Sequence, residues 1–145
     1  MLVSEQEIPW SRRTTSEEPQ VTIIDIHTHA YTRKYLEILR EQGGEYGLKI
    51  RPDGFEEIFR GETPVAFPQP GHFDYDIRIK QMADTGIDMS IVSLTCPNVY
   101  WGGKNTSILA AEESNNAMAE AQTAYPARLR WFTSLPWQYP DAAIE

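Results

Sequence analysis

The chain has one cysteine, Cys96, among 145 residues. A single thiol cannot form an intramolecular disulfide, so nothing points to a secreted, cross-linked scaffold. Cys96 has no second cysteine and no basic neighbour in sequence, which argues against a catalytic thiol. Positive charge is scarce too: 13 Lys and Arg stand against 21 Asp and Glu, for a net charge of −8. The basic residues are scattered, with Arg12-Arg13 the densest spot, so no surface for a nucleic-acid backbone is expected. The acidity reads as solubility. No apolar run approaches the ~20 residues that span a bilayer. The opening MLVSEQEIPW carries Glu5 and Glu7 where a secretory leader needs a basic end and an apolar stretch. These absences predict a cytoplasmic protein without a nucleic-acid or membrane partner. What is present, 41% hydrophobic and 23% charged residues, is a globular mixture.

Residues 1–20 are polar, without a period of 2 or 3.6, and Pro19 closes them; they read as a flexible tail. From Val21 the composition changes. VTIIDIH is a short, β-branched run of the kind buried on both faces of a sheet. Tyr31 to Gln42 reads as a helix with Tyr35, Ile38, Leu39 and Gln42 on one side and Gly43-Gly44 at its end. Residues 45–72 are less regular. Strand-like pieces are split at Pro52-Asp53-Gly54 and Gly61, which suggests a small β excursion or lid, and Pro68, Pro70 and Gly71 argue against further regular structure. Asp74 is suited to cap a helix striped by Tyr75, Ile79, Met82 and Ala83 and ended by Gly86. A second strand, Met89 to Thr95, is followed by the loop CPNVYWGGK. A helix from Asn105 or Thr106 then runs to about Ala124, stopped by Pro126. Arg128 to Ser134 is a third strand, and Pro140 opens another helix. Strands alternating with helices imply a parallel sheet with right-handed crossovers.

Chemistry concentrates at Ile24-Asp25-Ile26-His27-Thr28-His29. Residues i and i+2 of a strand share a face, ~6.6 Å apart at Cα. The imidazoles of His27 and His29 can therefore meet one ion at ~2.1 Å without distorting the chain. The pair holds two of the three histidines of the sequence. It also lies at the carboxyl end of the first strand, where parallel α/β folds carry their sites. The blander alternative is that both rings only hydrogen-bond at the sheet's rim. Asp25 shares their parity and serves either as an outer-shell partner of the site or as a structural residue of the strand.

IIDIHTHA resembles the first-strand motif of the amidohydrolase superfamily. The later sequence is similar to the branch of that superfamily containing aminocarboxymuconate-semialdehyde decarboxylase, γ-resorcylate decarboxylase and related aromatic-acid decarboxylases. The residues that carry this likeness are Asp76, Arg78, Met82, Gly86-Ile87-Asp88, Asn115-Asn116, Tyr125-Pro126-Ala127-Arg128 and Leu135-Pro136. It extends over about residues 21–145.

The resemblance implies a TIM (β/α)8-barrel of the metal-dependent hydrolase type, with about its first three β/α units present in residues 21–145. It implies one divalent ion, zinc first and manganese as the alternative, held by His27 and His29 together with a histidine and an aspartate from later parts of the family pattern. A further histidine that assists proton transfer also belongs there, so no catalytic residue is assigned in this chain. His72, in its Pro/Gly-rich segment, reads as surface or lid. The implied substrate is a small aromatic or muconate-type carboxylic acid. Arg51 and Arg60 are suited to a carboxylate, because a guanidinium donates two parallel hydrogen bonds, but either can equally be a solvated surface residue. Tyr100 and Trp101 either wall the pocket or anchor their loop.

The expected activity is metal-dependent decarboxylation by the full-length form. Hydrolysis of an amide, lactone or ester by the same superfamily chemistry is the alternative. An eight-stranded barrel takes ~250 residues, so this chain is expected to be incomplete and inactive alone. A third reading is a non-catalytic fragment or pseudoenzyme that acts only by association, and a homo-oligomer stays open.

Overall fold

The computed structural model describes residues 21–144; the tail expected at 1–20 lies outside them. Strand β1 (Ile24–His29) is followed by helix α1 (Arg33–Gln42) and an antiparallel meander of β2 (Tyr46–Ile50), β3 (Glu56–Arg60) and β4 (Thr63–Ala66). Then come α2 (Pro70–Phe73), α3 (Tyr75–Thr85), β5 (Met89–Ser93), α4 (Lys104–Ala124), β6 (Leu129–Trp131) and α5 (Pro140–Ile144). The main sheet has the order β1-β5-β6 with both pairings parallel. That is the arrangement expected from alternating strands and helices.

Local chemistry explains the element ends. Thr32 caps α1, its Oγ1 accepting from the Tyr35 amide at 2.8 Å, and Tyr35, Leu36, Ile38 and Leu39 form the buried stripe. Asp74 caps α3 by accepting from the amides of Asp76 and Ile77. Gly86 ends it at φ 72°, a left-handed turn that glycine enters without steric cost. The main apolar cluster lies among α1, the meander, the loop after β5 and α4. Tyr31, Tyr35, Leu39, Ile58, Val99, Trp101 and Ala110 meet there. Ile58 is fully buried, so β3 contributes to this core.

Two expectations fail. Pro70 and Gly71 do not exclude regular structure; they form the one-turn helix α2 with Pro70 in its first turn, where a missing N–H costs nothing. The first strand is not buried on both faces. Ile24 is 48% exposed and Ile26 68%, because among the described residues β1 is an edge strand paired with β5 alone and the helices leave these side chains uncovered.

The loop after β5 returns to α1 at Gly102, which has φ +73°. A Cβ there would lie 2.7 Å from the Gln42 carbonyl oxygen and 2.6 Å from Thr106 Cγ2. Gly102→Ala is therefore expected to lose roughly 1–3 kcal/mol, from the disfavoured dihedral and the collision with backbone together. A urea midpoint matching that of the parent would contradict this.

Candidate metal centre

His27 and His29 close β1 at its carboxyl end, and their ring centroids are 5.1 Å apart with planes at 74°. Two imidazoles each ~2.1 Å from one ion at a near-tetrahedral angle have centroids about 5 Å apart, so the observed pair fits shared coordination. The ladder with β5 shifts register between Asp25 and Thr28, yet the two rings remain neighbours. Among the described residues no group of three or more His, Cys, Asp or Glu side chains is arranged to hold a metal. The pair alone is the convergent feature.

The surroundings favour a neutral, metal-competent ring at His29. Burial lowers the His29 pKa below its ordinary value, His27 and Arg78 lower it further, and a hydrogen bond to the Ser93 backbone together with Asp25 opposes them. Asp25 does sit beside the pair: its Oδ1 accepts from the His27 amide at 3.0 Å. Sequence reasoning gave no site role to two residues that touch His29. Ser93 Oγ lies 3.1 Å from His29 Nδ1, and Arg78 donates to the His29 carbonyl oxygen and, at 2.6 Å, to Thr28 Oγ1. Arg78 is charged yet only 6% exposed. A polar residue on the apolar side of a helix is the signal that would have exposed it.

The other candidates lie elsewhere. Arg51 pairs with Asp53 and Glu57, and Arg60 with Glu45, so both are engaged by carboxylates of their own segment. Trp101 is 5% exposed, donates from Nε1 to the Asn98 carbonyl at 2.7 Å and packs edge-on against Tyr35. It is an anchor of the core that also borders an open cleft of about 590 Å³ with exposed Tyr100 and Trp137 and half-buried Tyr139. His72 is half-buried on α2. Its carbonyl accepts from the Tyr31 amide at 2.9 Å, and its ring lies 5.9 Å from that of Tyr31.

No protein-family model matches the chain. A γ-resorcylate decarboxylase from Rhodococcus jostii (strain RHA1) is 38% identical over 71 residues, which are 48% of this chain and 22% of that protein. Among solved structures, IDCase from Metarhizium anisopliae superposes with a TM-score of 0.72 at 21% identity, over 85% of this chain and 37% of that one. An amidohydrolase II structure gives 0.60 at 28% identity, over 85% and 34%. The fold is that of a partial amidohydrolase barrel. The likeness read from the sequence, to the aromatic-acid decarboxylase side of the amidohydrolase superfamily, holds. The chain spans about a fifth of its curated relative and a third of these solved chains. A further barrel of the same shape, a dihydroxybenzoic acid decarboxylase from Polaromonas sp. JS666 solved with manganese and 2-nitroresorcinol, matches at TM-score 0.55 and 22% identity, over 86% and 33%. No helix among the described residues is long and apolar enough to cross a membrane.

His29 and His72 make the fold acid-sensitive. Burial, Arg78 and His29 hold the His72 pKa below 6.5, and His29 is likewise lowered. On acidification the unfolded chain therefore takes up protons first, near pH 6.5, while the folded rings stay neutral. Stability is complete above about pH 6.5 and declines as pH falls through the lowered folded values. The urea midpoint of the metal-free protein is expected to drop between pH 7.5 and 5.5, and His72→Gln should flatten that slope. A slope unchanged in the variant would contradict the assignment to His72.

Proposed function

We propose that the full-length protein is a metal-dependent carboxy-lyase acting on an aromatic or muconate-type carboxylic acid. The His27–His29 pair, with ring centroids 5.1 Å apart at the carboxyl end of β1, supports the metal-dependent part of this reading. The 38% identity over 71 residues to a γ-resorcylate decarboxylase supports the carboxy-lyase part. His27 and His29 would hold one divalent ion, zinc or, as in the Polaromonas enzyme, manganese. When bound, such an ion polarises a carboxylate or a neighbouring hydroxyl oxygen. The chain's own part is to supply both imidazoles side by side, with burial favouring the uncharged form of His29 and Asp25 holding the His27 amide. In decarboxylation the bond between ring carbon and carboxylate breaks, carbon dioxide leaves, and the electron pair left on the ring carbon takes a proton.

Tyr100 and Trp101 would offer aromatic walls to a planar ring, in a cleft whose lining includes neither histidine. Arg51 and Arg60 would serve a carboxylate only by giving up their present carboxylate partners. Hydrolysis is the second reading, favoured by the 28% identity to an amidohydrolase II. It uses the same two histidines.

The test compares the full-length protein with residues 1–145 alone, each loaded with zinc or manganese, on 2,6-dihydroxybenzoate, 5-carboxyvanillate and a panel of lactones and amides. Release of carbon dioxide in deuterated water, with deuterium entering the vacated ring position, is the expected result for the full-length protein, and no turnover for residues 1–145. Water addition to the lactones and amides without carbon dioxide release would replace the lyase reading with the hydrolase one.

A further inference from the structure

We infer that Ser93 and Arg78 are positioning residues that set His29 so that its Nε2, and not its Nδ1, presents a lone pair for metal binding. This rests on the reading of His27 and His29 as ligands. A neutral imidazole carries one N–H, and its other nitrogen is the one that can coordinate. Ser93 Oγ stands 3.1 Å from His29 Nδ1 and 3.5 Å from the Thr28 carbonyl oxygen. The hydroxyl has one proton and two candidate acceptors, Nδ1 and the more distant Thr28 carbonyl oxygen. The carbonyl can only accept whereas Nδ1 can donate, and the pairing that satisfies all three groups sends the hydroxyl proton to Thr28. Ser93 Oγ then accepts from His29 Nδ1–H, which leaves Nε2 bare. Ser93 is delivered by the ladder itself, since it pairs with His29 in the register of β1 with β5.

Arg78 fixes the same residue through its backbone. From α3 its Nη1 donates to Thr28 Oγ1 at 2.6 Å and its Nη2 to the His29 carbonyl oxygen. A planar fork reaches the two acceptors from two separate nitrogens; the three donors of an ammonium all radiate from a single nitrogen and cannot reproduce that span. The guanidinium is 6% exposed and forms no carboxylate ion pair among those of the described residues, an expensive placement for a charge. What its donors obtain there is the end of β1. One grip therefore sets the ring's tautomer and the other sets the height and rotation of the strand that carries it.

The test uses the chain with ¹⁵N-labelled histidine. Without metal, long-range ¹H–¹⁵N spectra should show His29 protonated at Nδ1. In Ser93→Ala the signals should move toward the Nε2–H form, and zinc affinity, measured by competition with a chelator, should fall about 10–100-fold; Ser93→Thr should restore both. Arg78→Lys should weaken zinc binding at least tenfold while the Nδ1–H signal persists, and Thr28→Val, which keeps the shape and removes one acceptor, should produce part of that loss. An unchanged tautomer and affinity in Ser93→Ala overturns the inference, as does full zinc affinity in Arg78→Lys. The ligand reading fails separately: if His29→Ala binds zinc as the parent does, His29 is no ligand, whatever the spectra say of Ser93.

Discussion

Changing His27 and His29 together to alanine should reduce divalent-metal affinity by at least about 100-fold, leaving only weak surface binding. Loss of an outer-shell hydrogen bond alone costs 10–100-fold in characterised sites, and this change removes the coordinating nitrogens themselves. Each single substitution should fall short of the double, because the remaining ring still offers one nitrogen. The fold should survive, since His27 is exposed and His29 half-buried and neither belongs to an apolar cluster. Metal content after dialysis, with circular dichroism as control, decides this. A double variant that retains zinc like the parent would remove the functional case.

Tyr35→Ala should have the largest effect on stability, a loss of about 3–5 kcal/mol. Tyr35 is fully buried at the centre of the main apolar cluster. Its ring lies 5.7 Å from those of both Tyr31 and Trp101, and its hydroxyl donates to the Asn98 carbonyl at 2.5 Å. A small domain has only about 5–15 kcal/mol in total, so the variant should be partly unfolded at room temperature. Tyr35→Phe separates ring from hydroxyl. The Asn98 carbonyl keeps its bond from Trp101 Nε1, so the expected loss is near 1 kcal/mol. Urea denaturation of the two variants measures both terms, and equal losses would contradict the division.

The elements of the main sheet were legible because each carries its own local instruction. Thr32, Asp74 and Gly86 cap and stop helices through contacts within a few residues of themselves. The proximity of the His27 and His29 rings was legible for the same reason, since strand parity is local. Arg78 and Ser93 were not, because their importance comes from pairings 49 and 64 residues distant in sequence. Trp101 shows the opposite difficulty. A large aromatic in a loop fits a pocket wall or a core anchor equally well, and only its burial against Tyr35 makes it an anchor. The residues that carry the family likeness proved legible as pattern but not as role. Asn115 exchanges two hydrogen bonds with Ser134, at 2.9 Å each, tying α4 to the segment after β6. Tyr125 binds Asp76 across two helices.

Arg128 donates to the carbonyls of Ile87 and Asp88 at 2.9 and 2.8 Å, and the Asp88 carboxylate receives the Ile23 amide at 2.8 Å. These bonds gather the entries to β1, β5 and β6 at the edge of the sheet opposite the histidines. The molecule thus has a riveted floor and a chemically free rim. Sequence changes at the histidine end leave these rivets in place, while the segment after β5 is held separately, by Val99 and Trp101 in the main core.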